Sequence, residues 1–305
     1  MIRSMFSAVS GLRTHQTRLD VVGNNISNVN TYGFKPGRAT FKESIYQTTY
    51  GSSEGNNVYG GQNPSQVGYG SQIGGISLDF GVGNYEPTGF GTDCMIAGNG
   101  FFMVGPKQGE DGIENNGGAL SEVKLTRVGA FTIDGDGYLV DENRNIVYGF
   151  ALEGDPAEGA NPLKVTQEKL VPIRIPVKPG GADVDGPMKL EQISIDGNGI
   201  LMGKSDDGKM YKVAQLAICN VPNPNALEKI GDSYYSAVNN TGALKAFIPG
   251  EGTTGKLITG GLEMSKTDLS QEISNMIIAQ RGLQANTRMI TVSDEVLQEL
   301  INMKR

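Results

Sequence analysis

Both ends of the chain carry a heptad-spaced apolar seam, with more than two hundred Gly-rich residues of β character between them. Near the N-terminus Met5, Ala8, Leu12, His15, Leu19, Val22, Ile26 and Val29 step by alternating three and four residues, and all but His15 are apolar or small. Near the C-terminus Leu269, Met276, Leu283, Ile290 and Leu297 recur every seven, with Ile273, Ala279, Leu300 and Ile301 widening the stripe. Such stepping lines up one face of an α-helix, and that face is stable only against another surface. One chain offers a single pairing, first helix against last, so the middle of the sequence is an insertion between helices that belong together. The burial available to one pair falls short of the entropy of ordering it, before hydrogen bonds are counted. The ends are therefore expected to be loose in a lone chain and ordered when many copies pack side by side.

Residues 4 to about 29 are predicted as the first helix, with Ser4 as its cap and Asn24, Asn25, Asn28 and Asn30 leading to Gly33 and Pro36 at its exit. The last helix is expected from about 265 or 268 to 303. The 44 glycines, about twice the usual share, follow no collagen period and fit many short strands. The reading is a mainly β central domain of Gly-rich hairpins and meanders, with long N- and C-terminal α-helices forming a coiled-coil-like pair. Its boundaries are 1–33 and 268–305 for the helical part, 34–70 and 248–267 for extended connectors, and 71–247 for the β domain, with little or no extra outer domain. Within the latter, 96–104 and 210–221 read as long strands, and 105–122 as a polar loop. Ile133-Asp-Gly-Asp-Gly-Tyr-Leu139 returns as Ile195-Asp-Gly-Asn-Gly-Ile-Leu201, one turn type used twice.

A net charge of -7 with no basic stripe argues against nucleic acid. No apolar run reaches the length of a membrane span, and the N-terminus lacks the apolar core and cleavage site of a secretory signal peptide. Cys94 and Cys219 lie in apolar, strand-like runs and are expected to be buried free thiols, a disulfide being the alternative.

No motif carries catalytic or cofactor chemistry. Gly250 to Lys256 approaches a phosphate-binding loop, but Leu257 stands where a metal-holding Ser or Thr belongs, and Gly260-Gly261 interrupts any following helix. Asp134, Asp136 and Asp141 suggest a calcium loop, yet the twelfth position holds Asn145 instead of a bidentate Glu. His15, the single histidine, lies on a helix seam, where packing or register is the expected role. The expectation is a protein without metal or cofactor.

The helix exit, Asn24-Asn25-Ile-Ser-Asn28-Val-Asn-Thr31-Tyr-Gly33-Phe34-Lys35, closely resembles the signature of bacterial flagellar rod, hook and hook-associated proteins. Asn275 to Asn286, with Gln280 and Arg281 inside it, and Ser293 to Gln298 resemble the matching C-terminal signature. Asp93 to Val104 and Thr126 to Leu139 are similar to that family's β domain, so the resemblance covers most of the chain. Within the family, residues 60–70 and 297–305 are most similar to short hook proteins, with distal rod proteins the close competitor; 105–122 and 155–190 depart most. The resemblance implies a non-enzymatic subunit of a curved helical tube that passes torque from rod to filament, its terminal helices lining a channel. It also implies partners: further copies of itself, the distal rod protein, the hook cap scaffold, the hook-filament junction protein and the flagellar type III export apparatus. Export without a cleaved signal peptide and a place outside the cell, in the hook or basal body, follow from the same resemblance. The assembly seam is expected at Met5, Leu12, Leu19, Val22, Ile26, Val29, Leu269, Ile273, Met276, Leu283, Ile290 and Leu297.

Overall fold

The computed structural model describes residues 2–55, 60–107, 113–115, 123–153, 164–175, 190–205 and 210–303. Much of the segments expected to depart from the family, 105–122 and 155–190, lies outside these residues. The chain divides into two compact units. The first holds Met1–Val29, Pro36–Asp79 and Thr267–Arg305; the second holds Asn30–Lys35 and Phe80–Lys266.

In the first unit, helix α1 (Ile2–Ser27) packs on helix α2 (Leu269–Met303). Asp268 starts α2: its Oδ1 accepts hydrogen bonds from the Ser270 and Gln271 amides at 3.0 and 3.3 Å, satisfying donors the first turn leaves open. Strands β1 (Gly37–Glu43), β2 (Tyr46–Tyr50), β3 (Ser65–Gly68) and β4 (Ser71–Leu78) complete the unit. β1 pairs antiparallel with β4 and β2 with β3, and α1 lies against β1 and β4. The connector expected over 34–70 therefore carries the paired strands β1, β2 and β3, and Ser71–Leu78, assigned to the β domain from sequence, falls within the helical unit. A full row of exposed side chains on β2 and β3 left no alternating pattern from which to read pairing.

The second unit is antiparallel β. It runs through β5 (Tyr85–Pro87), β6 (Cys94–Ala97), β7 (Phe101–Gly105), β8 (Ile113–Glu114), β9 (Lys124–Thr126), β10 (Thr132–Ile133) and β11 (Leu139–Val140). There follow β12 (Ile146–Glu153), β13 (Lys164–Pro172), β14 (Leu190–Ile195), β15 (Ile200–Ser205), β16 (Met210–Leu216) and β17 (Ile218–Asn220). Last come β18 (Glu228–Gly231), β19 (Tyr234–Ser236), β20 (Lys245–Phe247), β21 (Lys256–Thr259) and β22 (Gly261–Glu263). The main path of the sheet is β14-β15-β16-β12-β7-β9-β19-β18. Phe102, Val104, Phe131, Leu139, Val147, Leu201, Leu216 and Ile218 form its buried core.

The predicted strand at 96–104 is two strands, because Gly98 and Gly100 take φ of 138° and 126°, backbone that a side chain opposes. The strand expected at 210–221 likewise divides between Leu216 and Ile218. The repeated Asp-Gly-Asx-Gly phrases do form the same turn. Asp134 N to Tyr138 O (2.9 Å) and Gly137 N to Asp134 O (2.9 Å) are matched by Asp196 N to Ile200 O (2.9 Å) and Gly199 N to Asp196 O (2.7 Å). The connector expected over 248–267 carries β21 and β22, paired with β6 and β5, so Lys256 opens a strand where a phosphate-binding loop requires a helix. Both cysteines are free and buried.

Candidate functional site

The helix seam is the first feature built by the sequence signatures. Gly11 faces Asn286, His15 faces Gly282, Arg18 Nη2 donates to Asn275 Oδ1 at 3.2 Å, and Asn25 Nδ2 to Glu272 Oε1 at 3.3 Å. Numbers rise on α1 as they fall on α2, so the helices run antiparallel. A Cβ on Gly282 would lie 2.5 Å from the His15 ring, and one on Gly11 2.7 Å from Asn286 Nδ2. Each helix thus carries a glycine notch that receives a polar side chain of the other, which fixes register more sharply than greasy contacts do. His15 also meets Phe41 edge-on, centroids 5.5 Å apart, while the Arg18 guanidinium stands 5.7 Å from the same ring. Burial, and then the neighbouring Arg18 charge, push the His15 pKa below its ordinary value.

Most of the predicted seam residues are at least partly buried. Val22 is buried, as are Ala8 and Ala279, and Met5, Leu12, Leu19, Ile26, Val29, Met276, Leu283, Ile290 and Leu297 are half-buried. Leu269 and Ile273 are 44% and 45% exposed. The two helices of one chain pair with each other, the single pairing that the sequence offered. What it does not do is cover them. Half a turn around α2 from Met276 and Leu283, a second apolar stripe of Ile278, Met289, Val292, Val296, Leu300 and Met303 is 38–76% exposed. Sequence reasoning missed this stripe, although its steps of seven, four and three from Ile278 through Ala285 to Val296 are legible at helical period.

The second feature is the helix exit. Asn24 accepts from the Asn28 side chain at 2.9 Å, closing the last turn of α1. Asn25, 1% exposed, imitates a strand: its Nδ2 donates to Gly37 O at 2.8 Å and its Oδ1 accepts from Gly37 N at 2.9 Å. Within the β unit, Thr31 O accepts from Phe34 N at 3.4 Å, while Gly33, at φ 65°, donates its N–H to Glu263 O at 2.7 Å. A Cβ on Gly33 would press on Arg127 C at 3.0 Å. Phe34 lies under the Lys229 ammonium, 4.5 Å from the ring centroid.

Lys35 completes this anchor. Its Nζ, fully buried, donates to Glu263 Oε1 at 2.6 Å and to Gly81 O at 2.7 Å. Gly83 N donates to the same Oε1 at 2.7 Å, and Arg127 Nη1 stands 3.5 Å from Oε2. Arg127 also donates to Gly98 O at 2.8 Å and covers Phe101 at 5.2 Å from the ring centroid. One buried carboxylate thus holds two cations, and burial is the leading cause that lowers the Arg127 pKa. Lys35 was legible as part of a signature; Glu263 was not, since its partners lie far off in sequence.

Of the other signature residues, Asn286 sits in the notch at Gly11, whereas Gln280 and Arg281 are exposed on α2, with Arg281 Nη1 3.4 Å from Gln284 Oε1. Two of the three aspartates considered for calcium are otherwise engaged: Asp134 caps its own turn, and Asp141 accepts from the Asn143 and Asn145 amides and from the Tyr234 hydroxyl. Among the described residues no cluster of His, Cys, Asp or Glu could hold a metal ion, and no helix is long and apolar enough to cross a membrane.

The two terminal helices pair with each other, and the β unit is inserted between them in sequence. Residues 5–35 match the model of flagella basal body rod proteins, and residues 258–303 match the C-terminal model of flagellar basal body rod FlgEFG proteins. The chain is 36% identical to the flagellar basal-body rod protein FlgG of Bacillus subtilis (strain 168), with all of both chains covered. It is 30% identical to the FlgG of Borreliella burgdorferi over all of both chains, and 26% identical to that organism's flagellar hook protein FlgE, again over all of both. The chain belongs to the family of flagellar basal-body rod and hook proteins, and is a structural protein, not an enzyme.

Proposed function

We propose that the chain is a self-assembling subunit of the flagellar axial structure, specifically of its rod. The observation that carries self-assembly is the second apolar face of α2, exposed among the described residues even though α2 is paired with α1. Six large apolar side chains on one exposed stripe form a surface that water disfavours and that further copies can cover.

Length supports the rod reading. The alignment with the Bacillus subtilis rod protein spans 306 positions against a chain of 305, whereas that with the Borreliella burgdorferi hook protein spans 454. The hook proteins therefore carry long segments without a counterpart here. Residues 60–70 and 297–305, most similar to short hook proteins, support the hook as a second reading. In either case the subunits transmit torque, which requires the helix seam to hold. Electron micrographs of a strain lacking the gene separate the two. A truncated rod supports the rod reading, and a complete rod without a hook supports the other. Removing 1–29 or 268–305 is expected to leave a soluble β unit that cannot polymerise; normal tubes from either truncation would refute assembly through the helices.

A further inference from the structure

We propose that copies of this chain join head to tail, the C-terminal half of the outer α2 stripe of one copy seating in a groove between α1 and β4 of the next. The inference rests on the self-assembly reading and goes beyond it by naming the two faces and their polarity. The groove, about 720 Å³, is lined by Phe6, Val9, Arg13, Thr17, Tyr69 and Ile73 among others, and no acidic side chain lines it. Phe6 and Val9 are 62% and 38% exposed, so the floor is apolar and open. The stripe offers Val292, Val296, Leu300 and Met303, edged by the exposed carboxylates Glu295 and Glu299.

Three properties match the stripe to the groove. Charge is complementary: Arg13 on the groove wall meets a stripe edged with glutamate. Length agrees, since Phe6 to Thr17 and Val292 to Met303 each advance about 16 Å along a helix. Neither face can pair with itself as well, because the glutamates would meet glutamates across a two-fold axis and the arginines would meet arginines.

The faces differ and lie on different helices, so their pairing is heterologous and generates an open polar assembly, not a closed dimer. The antiparallel register sets Phe6–Thr17 level with the stretch of α2 just before Val292. Each added copy is consequently displaced along the helix axis by roughly 18 Å, the rise of about twelve helical residues.

Two full-length variants test this. Val9→Asp spoils the groove and keeps the stripe; Val296→Asp spoils the stripe and keeps the groove. Both positions are solvent-exposed, and unchanged helical circular dichroism of each variant verifies the fold. Under conditions where the wild-type chain polymerises, sedimentation velocity is expected to show each variant alone as a monomer. Their equimolar mixture is expected to form one-to-one dimers and nothing larger. Dimers of Val9→Asp alone, or a mixture that stays monomeric, would overturn the pairing while leaving wild-type self-assembly intact. Wild-type chain that never polymerises would overturn both readings.

Discussion

Replacing Lys35 by Met removes one of two cations from a carboxylate that no water reaches. Lys35 and Glu263 side chains are both 0% exposed, and the 2.6 Å contact between them is the shortest that Glu263 makes. Methionine fills the space of the lysine stem, so the loss is electrostatic. It leaves Glu263 Oε1 with the Gly83 amide and Oε2 with Arg127 at 3.5 Å. Removing one partner of a buried ion pair costs about 3 to 5 kcal/mol. In a unit of this size that lowers the melting temperature by on the order of 10 °C. The assay is near-UV circular dichroism of tyrosine during heating, because the chain has no tryptophan and Tyr235 packs on Phe80 and Phe101 inside the β unit. Glu263→Gln is expected to cost at least as much, since it turns two buried cations toward each other. The double variant Lys35→Met/Glu263→Gln should fall short of the summed losses. A Lys35→Met protein melting within roughly 2 °C of wild type would refute the reasoning.

Acid is expected to loosen the helix pair through His15. Its folded pKa is lowered, so the unfolded chain binds the proton more readily, and stability is lost as pH falls through the ordinary histidine range near 6.5. Amide exchange of α1 and α2 at pH 7.5 and 5.5 measures this, and His15→Gln should flatten the difference; an unchanged pH dependence in that variant would assign it elsewhere. Gly129→Ala puts a Cβ 1.8 Å from Cys94 O, a collision of backbone with backbone, and is expected to destabilise the β unit by more than about 3 kcal/mol in urea titration. A loss below about 1 kcal/mol would mean that this segment yields easily.

The helices were legible because their period repeats over several turns, and their observed limits, Ile2–Ser27 and Leu269–Met303, lie close to those expected. The Asp-Gly turns were legible too, since a glycine with positive φ leaves a local mark in the sequence. Contacts between distant residues were not. Lys35 and Glu263 stand 228 positions apart, and nothing near Glu263 announces a buried charge. The notch pairs, Gly11 with Asn286 and Gly282 with His15, require two helices to be superimposed before a glycine in one explains a polar residue in the other. Strands β2 and β3 hid for a simpler reason: with both faces wet, Tyr46 to Tyr50 and Ser65 to Gly68 show no inside and outside to alternate.

Helix α1 precedes the whole β unit in sequence, and α2, the element that holds it, follows that unit. Throughout translation the early helix keeps its greasy side without a mate, and the sticky back of its future companion does not yet exist. On the proposed pairing, one of the two coupling faces therefore exists only once α2 has been made. A product that stops within the β unit, however well that unit has folded, lacks the stripe with which to enter a neighbour's groove.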